Sequence, residues 1–285
     1  MAVKRRFVID FHVTGLCNLR CPFCCGTPKI IKGPDLADIK LTVNKLVKIG
    51  VTTIVLIGGE PLLRRDLPKI IRYIHDKGLE IYLSTNGLLL LENLNKIKKY
   101  INCLGLPLDG YTETISRKMG RDVRSYQAVL KILQYFKQNP PKFIVKLGTV
   151  VARVNKRSLV ALGQLIFNDN ALYHPDTWRL YQFSPLNLGA RHRKKYEIKD
   201  REFNRICSDI QHVFPGKTIV PLSNKESNDS YLFVDPNLRI VLLTKDEFIE
   251  VADLKHASLE DLKKLKKQFQ RIVSRGAFNR RWLSR

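Results

Sequence analysis

The chain has 285 residues, of which 44% are hydrophobic and 27% are charged. This composition is typical of a globular protein and excludes a disordered or fibrous chain. No apolar run approaches the roughly 18 residues that cross a bilayer. The N-terminal stretch lacks a small-residue cleavage site, so it is predicted to be a first strand rather than a signal peptide. We therefore expect a cytoplasmic protein with no transmembrane segment.

The net charge is +24, from 50 Lys and Arg against 26 Asp and Glu. A surplus of this size favours anionic partners such as nucleic acid, a nucleotide or an acidic membrane surface. The basic residues are spread along the chain rather than gathered in a tail. Charge alone therefore does not choose between a polyanion partner and a generally lysine-rich chain.

Residues 6–184 repeat one pattern, in which a β-branched run is followed by a turn and an amphipathic segment. The predicted strands are Arg6–Val13, Val51–Ile57, Leu79–Ser84, Cys103–Leu108, Phe143–Val151 and Trp178–Phe183. The predicted helices are Leu36–Ile49, Asp66–Lys77, Leu89–Tyr100, Tyr126–Gln138 and Lys156–Phe167. Alternating strands and helices indicate parallel pairing through right-handed crossovers. We predict an α/β fold, a partial (β/α)6 TIM-like barrel with its chemistry at the carboxyl ends of the strands.

The pattern changes after residue 185, which predicts a core of residues 1–185 and a C-terminal α+β extension of residues 186–285. The extension contains a predicted helix at Asp200–Phe214 and two short strands within Ser230–Leu243 around an Asp-Pro-Asn turn. A last helix begins after Ser258 and ends near Gly276. Its regular apolar face predicts a lid on the substrate side of the barrel. Binding of a polyanion by the Arg280-Arg281-Trp282 tail is the alternative.

Three cysteines follow the first predicted strand, Cys17, Cys21 and Cys24, with Cys25 next to the last of them. In a loop, three thiolates can converge on one metal centre, and disulfides are not expected in a cytosolic chain. A structural zinc ion needs a fourth ligand, for which Cys25 is the nearby candidate in an awkward position. Three ligands suit a 4Fe-4S cluster with one open iron. Structural zinc and inert buried thiols are the alternatives.

This C-x3-C-x2-C loop, placed after the first of six βα units, resembles the signature of the radical S-adenosylmethionine (radical SAM) superfamily. The resemblance covers about residues 6–184. It implies that Cys17, Cys21 and Cys24 hold a single 4Fe-4S cluster whose open iron binds S-adenosylmethionine (SAM). It also implies an electron donor, either a reductase or a flavodoxin or ferredoxin, and a 5′-deoxyadenosyl radical that takes a hydrogen atom from the substrate.

Further segments at the predicted strand ends strengthen this resemblance. Gly58-Gly59-Glu60-Pro61 is similar to the element that holds the amino group of SAM, because glycines permit close approach and Glu60 offers a charge-assisted hydrogen bond. Asp109 lies in a segment similar to the family's S-L-D-G element and is interpreted as a turn former or a ribose ligand. The resemblance assigns these residues to SAM binding: Phe23, Gly58, Gly59, Glu60, Pro61, Ser84, Thr85, Asn86, Asp109 and Gly148.

The latter half of the chain resembles the viperin family of radical SAM enzymes, which act on a nucleotide. The similar residues are 143–155, 178–183 and 220–236. The resemblance implies that Arg121, Lys146 and Arg179 contact phosphate, a role that suits their charge, and that Tyr231 is catalytic and returns a hydrogen atom to the product radical. Three of these residues could instead be structural. Lys146 could be a solvated strand end, Arg179 a surface cation and Tyr231 a core aromatic.

These observations lead to three hypotheses. The first is a radical SAM enzyme acting on a small anionic substrate, a nucleotide or nucleoside. The second is a radical SAM enzyme that modifies a peptide or RNA, although no RNA-binding module is recognised. The third is a catalytically silent iron–sulfur protein. Cys103 and Cys207 are expected in the core, which leaves ligands for one cluster.

Overall fold

The computed structural model of the chain describes residues 6–26, 31–228, 231–245 and 247–274. Its strands are β1 (Val8–His12), β2 (Thr53–Ile57), β3 (Glu80–Ser84), β4 (Cys103–Pro107), β5 (Ile144–Val151), β6 (Thr177–Gln182), β7 (Ile219–Leu222), β8 (Leu232–Val234), β9 (Arg239–Thr244) and β10 (Glu247–Asp253). Its α-helices are α1 (Leu36–Ile49), α2 (Leu67–Asp76), α3 (Leu90–Ile97), α4 (Glu113–Met119), α5 (Val123–Gln138), α6 (Leu159–Phe167), α7 (Arg193–Tyr196), α8 (Asp200–Val213), α9 (Asn224–Ser227) and α10 (Leu259–Ser274).

The ten described strands form one sheet in the order β10-β9-β8-β1-β2-β3-β4-β5-β6-β7. Each strand from β1 to β6 pairs in parallel with the next, which gives a parallel run from β1 to β7. The helices that join them pack their apolar stripes against the outer face, as Ile39 and Leu46 of α1 and Ile70 and Ile74 of α2 do in the buried core. This arrangement confirms the predicted α/β fold and partial barrel.

The C-terminal residues extend both edges of the same sheet. β7 continues it beside β6, and β8 pairs in parallel with β1, with Phe233 opposite Asp10. β8 and β9 form the predicted antiparallel pair. β7 and β10 were not predicted, because Pro221 interrupts the first and the second is an edge strand with exposed charged residues. The boundary near residue 185 stays a prediction, and strands from both sides of it share one sheet.

Helix α4 was also not predicted, and it matters because it leads into Arg121. Its seven residues carry too few apolar positions for a helical period to be recognised. The Thr112 side chain accepts a hydrogen bond from the Ile115 amide at its start, and Gly120, at φ 86°, ends it in the left-handed conformation. Both capping residues were visible in the sequence.

The last helix, α10, packs on the outer helical layer. The Phe269 ring lies 5.6 Å from that of Phe7, and α10 contacts α1. Its end near Gly276 and the tail at Arg280-Arg281-Trp282 lie outside the described residues. None of the helices in the described part of the chain is long and apolar enough to span a membrane.

Candidate active site

The cysteine loop connects β1 to α1, and the structure describes its residues 13–26 and 31–34. Arg64, which follows β2, fastens both of its ends, since Nη1 donates to the carbonyl oxygens of Val13 at 2.8 Å and Pro34 at 2.6 Å. The guanidinium is itself held by Asp66, and its side chain is only 11% exposed. One largely buried arginine therefore fixes the distance between the two ends of the loop.

Each of the sulfurs of Cys17, Cys21 and Cys24 accepts one hydrogen bond. The donors, in that order, are the Leu19 amide at 3.4 Å, the Arg121 Nη1 group at 3.6 Å and the Gly26 amide at 3.3 Å. Burial raises the pKa of the Cys21 thiol to about 11, and the Arg121 guanidinium acts in the opposite direction. Burial likewise raises the pKa of the Cys17 thiol, and the hydrogen bond from the Leu19 amide opposes that rise.

The donor set is chemically suited to an iron–sulfur cluster. The three cysteines and Cys25 line one cavity of about 770 Å³. Within the described residues, no three Cys, His, Asp or Glu side chains converge as a single metal ion requires. Three cysteine thiols on one loop are the donor type that iron–sulfur clusters take, so Cys17, Cys21 and Cys24 would be able to hold such a cluster.

The glycines of the Gly-Gly-Glu-Pro element are required by the cysteine loop itself. A Cβ atom on Gly58 would lie 2.2 Å from the carbonyl oxygen of Thr14, and one on Gly59 would lie 2.1 Å from that of Leu16. The amides of Gly59 and Glu60 donate to those same carbonyl oxygens at 2.9 and 2.8 Å. From the sequence, the space beside these glycines is expected to admit a ligand. In the structure, the backbone of the cysteine loop occupies it.

The Glu60 carboxylate joins the ends of β2 and β3 to the loop. It is fully buried and accepts hydrogen bonds from Thr85 Oγ1 at 2.7 Å, the Asn86 amide at 2.7 Å and the Leu62 amide at 3.1 Å. Burial raises the pKa of Glu60, and these bonds oppose that rise. Asn86 Nδ2 donates in turn to Asn18 Oδ1 at 2.7 Å, inside the cysteine loop. A carboxylate has about four acceptor positions, so Glu60 keeps capacity for one more donor.

Asp109 and Arg121 form a buried pair beside the same loop. Nε and Nη2 of Arg121 donate to Asp109 Oδ2 at 2.9 and 2.6 Å, and the Val150 amide donates to Oδ1 at 2.8 Å. The guanidinium lies 5.0 Å from the centre of the Phe23 ring. Burial alone would lower the pKa of Arg121, but the Asp109 carboxylate raises it above its ordinary value.

The wall formed by β5 and β6 carries Lys146 and Tyr181. Lys146 Nζ donates to Tyr181 Oη at 3.4 Å, and both residues line the cavity. Glycines make room for them: a Cβ atom on Gly105 would lie 3.4 Å from Lys146 Cε, and one on Gly148 would lie 3.1 Å from the Tyr181 ring. Sequence reasoning missed Tyr181, although it lies two residues after Arg179 and so on the same face of β6.

The cavity brings together most of the residues assigned from sequence. Those that line it are Cys17, Cys21, Phe23, Cys24, Gly58, Gly59, Glu60, Ser84, Thr85, Asn86, Asp109, Arg121, Lys146 and Gly148. Three assigned residues do not line it. Pro61 is buried in the short 3-10 turn Pro61–Leu63, Arg179 is buried near the Tyr181 ring, and Tyr231 stacks on Phe233 at 5.6 Å.

Two other expectations concern residues away from this wall. Cys103 and Cys207 are buried, as predicted. No described residue of α10 lines the cavity, because this helix packs on α1. The lid stays a prediction, because the tail that follows α10 lies outside the described residues.

A partial parallel barrel with a three-cysteine loop at its strand ends defines a cofactor-dependent class of enzymes. Residues 11–166 match the family model of the Radical SAM superfamily, and the chain belongs to this superfamily of enzymes. The chain is 30% identical over 248 residues to an S-adenosylmethionine-dependent nucleotide dehydratase of Lacinutrix mariniflava, covering 82% of this chain and 50% of the relative. A protein of the same name from Psychrobacter lutiphocae is 23% identical over 82% of this chain and 81% of its own length.

Among solved structures, Streptococcus suis SuiB bound to the precursor peptide SuiA is similar in fold. Its TM-score is 0.73 at 13% sequence identity, over 90% of this chain and 64% of that protein. At this identity the likeness concerns the fold alone. The chain thus spans half the length of the Lacinutrix relative and about two thirds of SuiB.

Proposed function

We propose that the chain uses a 4Fe-4S cluster, held by Cys17, Cys21 and Cys24, to cleave SAM reductively and abstract a hydrogen atom from a nucleotide or nucleoside. The observation that carries this proposal is that the three cysteines and Lys146 line one and the same cavity. Its volume, about 770 Å³, lies within the range typical of small-molecule sites. When bound, the reduced cluster supplies the electron that splits SAM into methionine and a 5′-deoxyadenosyl radical.

On the cofactor side, the protein contributes a fixed frame. Glu60, Thr85 and Asn86 hold the ends of β2 and β3 against the cysteine loop. The remaining acceptor position of Glu60 suits the ammonium group of SAM. Ser84 and Gly148 line the same cavity and are proposed to contact the rest of the cofactor.

On the substrate side, Lys146 and Tyr181 provide adjacent donors for an anionic group. The names of the Lacinutrix and Psychrobacter relatives support a nucleotide as the source of that group. Arg179 is proposed to act from behind Tyr181, which its guanidinium approaches to 6.0 Å. Tyr231 stays a prediction as the hydrogen-atom donor. Tyr181 is a second phenol and lines the cavity.

The electron donor is proposed to dock on a basic segment next to the cysteine loop. The Gly189 amide donates to the Cys24 carbonyl oxygen at 3.1 Å, and Asn187 Nδ2 donates to that of Cys25 at 2.8 Å. The exposed residues 191–195 that follow read Arg-His-Arg-Lys-Lys. A positive field at this place would steer an acidic one-electron carrier such as flavodoxin towards the cluster.

Charge reversal tests this docking face. Arg191→Glu with Lys194→Glu should slow cluster reduction by reduced flavodoxin more than tenfold at low salt, and leave reduction by dithionite unchanged. The matched control is Lys96→Glu with Lys98→Glu, at the end of α3 where the strands begin. Equal rates with flavodoxin in both double variants would contradict the proposed surface.

The central experiment uses anaerobically reconstituted protein, SAM, a reductant and a panel of nucleotides. We expect one nucleotide to accelerate the release of 5′-deoxyadenosine. Cys24→Ala should lose both the cluster absorbance and SAM cleavage, whereas Cys25→Ala, the adjacent control, should keep both. Acceleration by peptides or RNA instead would favour the alternative substrate class. Absence of any stimulation would rule out the proposed reaction. A cytoplasmic location stays a prediction from cysteine usage.

A further inference from the structure

Arg121 lies where it can act on the metal centre. Its Nη1 group reaches Cys21 Sγ at 3.6 Å, while the other two predicted ligand sulfurs receive backbone amides. Of the three described donors to these sulfurs, Arg121 is the one that donates from a side chain, and it carries a full positive charge. The resemblance to nucleotide-acting enzymes assigned this residue to substrate phosphate, so its contact with a ligand cysteine was not anticipated.

The position of Arg121 is fixed without help from any ligand. Two of its nitrogens are bound by Asp109, which is 1% exposed, and its planar group lies over the Phe23 ring. Asp109 is itself anchored by the Val150 amide of β5. The guanidinium is therefore oriented by the barrel and does not need a bound phosphate to order it.

The loop is also fitted closely to the residue before Arg121. A Cβ atom on Gly120 would lie 2.5 Å from Pro22 Cγ, and Gly120 adopts a φ of 86°, which favours glycine. Pro22 follows Cys21 directly, so the end of α4 and the ligand cysteine are held in register. This contact accounts for the short distance between Cys21 and Arg121.

Hydrogen bonds to cluster sulfurs and nearby charge set the reduction potential of iron–sulfur centres. A donor that bonds to a thiolate withdraws charge from the metal and favours the reduced state. We propose that Arg121 is a positioning residue for electron uptake, which raises the reduction potential of the cluster by donating a charged hydrogen bond to Cys21. This inference rests on the proposed function, because it requires the cluster at Cys17, Cys21 and Cys24.

The test is an EPR-monitored redox titration of reconstituted protein, with iron and sulfide content measured for each variant. Asp109→Asn combined with Arg121→Met removes the bond without leaving a buried carboxylate unpaired. We expect the ratio of reduced to oxidised cluster at a fixed potential to fall about tenfold, a shift of about 59 mV for one electron. Arg121→Lys keeps the charge but loses the planar fork, and should shift the potential in the same direction by less.

Arg117→Met is the matched control, because Arg117 makes an exposed ion pair with Glu113 on α4, the helix that leads into Arg121. Its midpoint potential should equal that of the wild type. A loaded double variant and a loaded Arg121→Lys variant with unchanged potential would overturn the inference, and a raised KM for the nucleotide would then assign Arg121 to substrate. A wild-type protein that takes up no iron overturns the proposed function as well.

Discussion

The two walls of the cavity are held by different kinds of contact. On the cofactor wall, Glu60 accepts hydrogen bonds from β3 and from its own turn, and Asn86 carries the network on to Asn18. On the wall formed by β5 and β6, Lys146 and Tyr181 meet at a longer distance, 3.4 Å, over glycine positions. The first wall is organised by the chain itself, whereas the second offers long polar side chains that a ligand can engage.

This difference separates residues that hold one another in place from residues that are available to a ligand. A cofactor wall made of mutual hydrogen bonds tolerates little substitution, since each buried group depends on the others. A wall of protruding side chains can change its ligand by changing one residue. We therefore expect substitutions on the two walls to differ in kind: loss of structure and of SAM on the first, and loss of the nucleotide alone on the second.

The largest effect is expected for Glu60→Gln. The side-chain amide of Gln would place an N–H group against the donor of Thr85 or Asn86, so that one of these hydrogen bonds is lost. Hydrogen bonds to a charged group are worth about 1.5–3 kcal/mol each. We expect the SAM dissociation constant to rise at least about 100-fold, measured by calorimetry, which corresponds to roughly 2.7 kcal/mol. Glu113→Gln, on the exposed face of α4, should change neither SAM affinity nor stability.

The same variant has a pH signature. Burial raises the folded pKa of Glu60, so the folded state binds its proton more tightly than the unfolded state does. Its contribution to the free energy of unfolding is then greatest below the unfolded pKa, about 4.3, and is lost as the pH rises through the folded pKa. Glu60→Gln should remove this decline in denaturant titrations across that range. An identical pH dependence in both proteins would contradict the assignment.

Lys146→Met comes second. It removes the cation on the β5 wall at nearly constant volume, and a charge-assisted bond to an anion is worth about 1.5–3 kcal/mol. We expect KM for the nucleotide to rise roughly 10- to 100-fold while SAM affinity is kept. A fall in SAM affinity of equal size would show that the two walls do not act separately.

Arg64→Ala should come third, and it tests the cysteine loop. The substitution leaves the Val13 and Pro34 carbonyl oxygens without this donor, at a cost of about 1–3 kcal/mol. We expect a lower free energy of unfolding and less iron bound per chain after reconstitution. Arg124→Ala, which breaks an exposed pair with Asp122, should change both by little.

Tyr181→Phe is expected to have the smallest effect. The change removes a neutral hydrogen-bond donor, worth about 0.5–1.5 kcal/mol, so KM should rise by roughly 2- to 10-fold. Comparison with Tyr231→Phe sharpens the test of which phenol serves the radical. A Tyr231 variant that releases 5′-deoxyadenosine but forms no product would support the sequence prediction. Such uncoupling in the Tyr181 variant would assign the hydrogen-atom donor to β6.

The cofactor side could be predicted from sequence because its parts are local. The cysteine spacing and the Gly-Gly-Glu-Pro element each lie within a few residues of a strand end, so the strand order alone brings them together. Their bonding partners could not be predicted. That Gly58 admits the Thr14 carbonyl oxygen, and that Glu60 bonds to Thr85, depend on how separate loops pack.

The substrate side and the sheet edges were harder for physical reasons. Tyr181 lies in the viperin-like segment 178–183, but the resemblance assigns it no role, and its strand face becomes informative once Lys146 is known to be its neighbour. β7 and β10 lie at the edges, where Pro221 and charged residues weaken the strand pattern. The packing of α10 on α1 depends on apolar residues of both helices. The apolar pattern of one helix alone does not predict which helix it packs against.

The parallel pairing of β1 with β8 has a consequence for how the protein is made. The strand that delivers the cysteine loop leaves the ribosome well before its outer neighbour β8, which is encoded more than two hundred residues later. Until Phe233 and Val234 emerge, one side of β1 is an open edge available to other chains. Iron loading before synthesis is complete would therefore take place on an unfinished sheet, and a nascent chain stalled before β8 would be prone to aggregate.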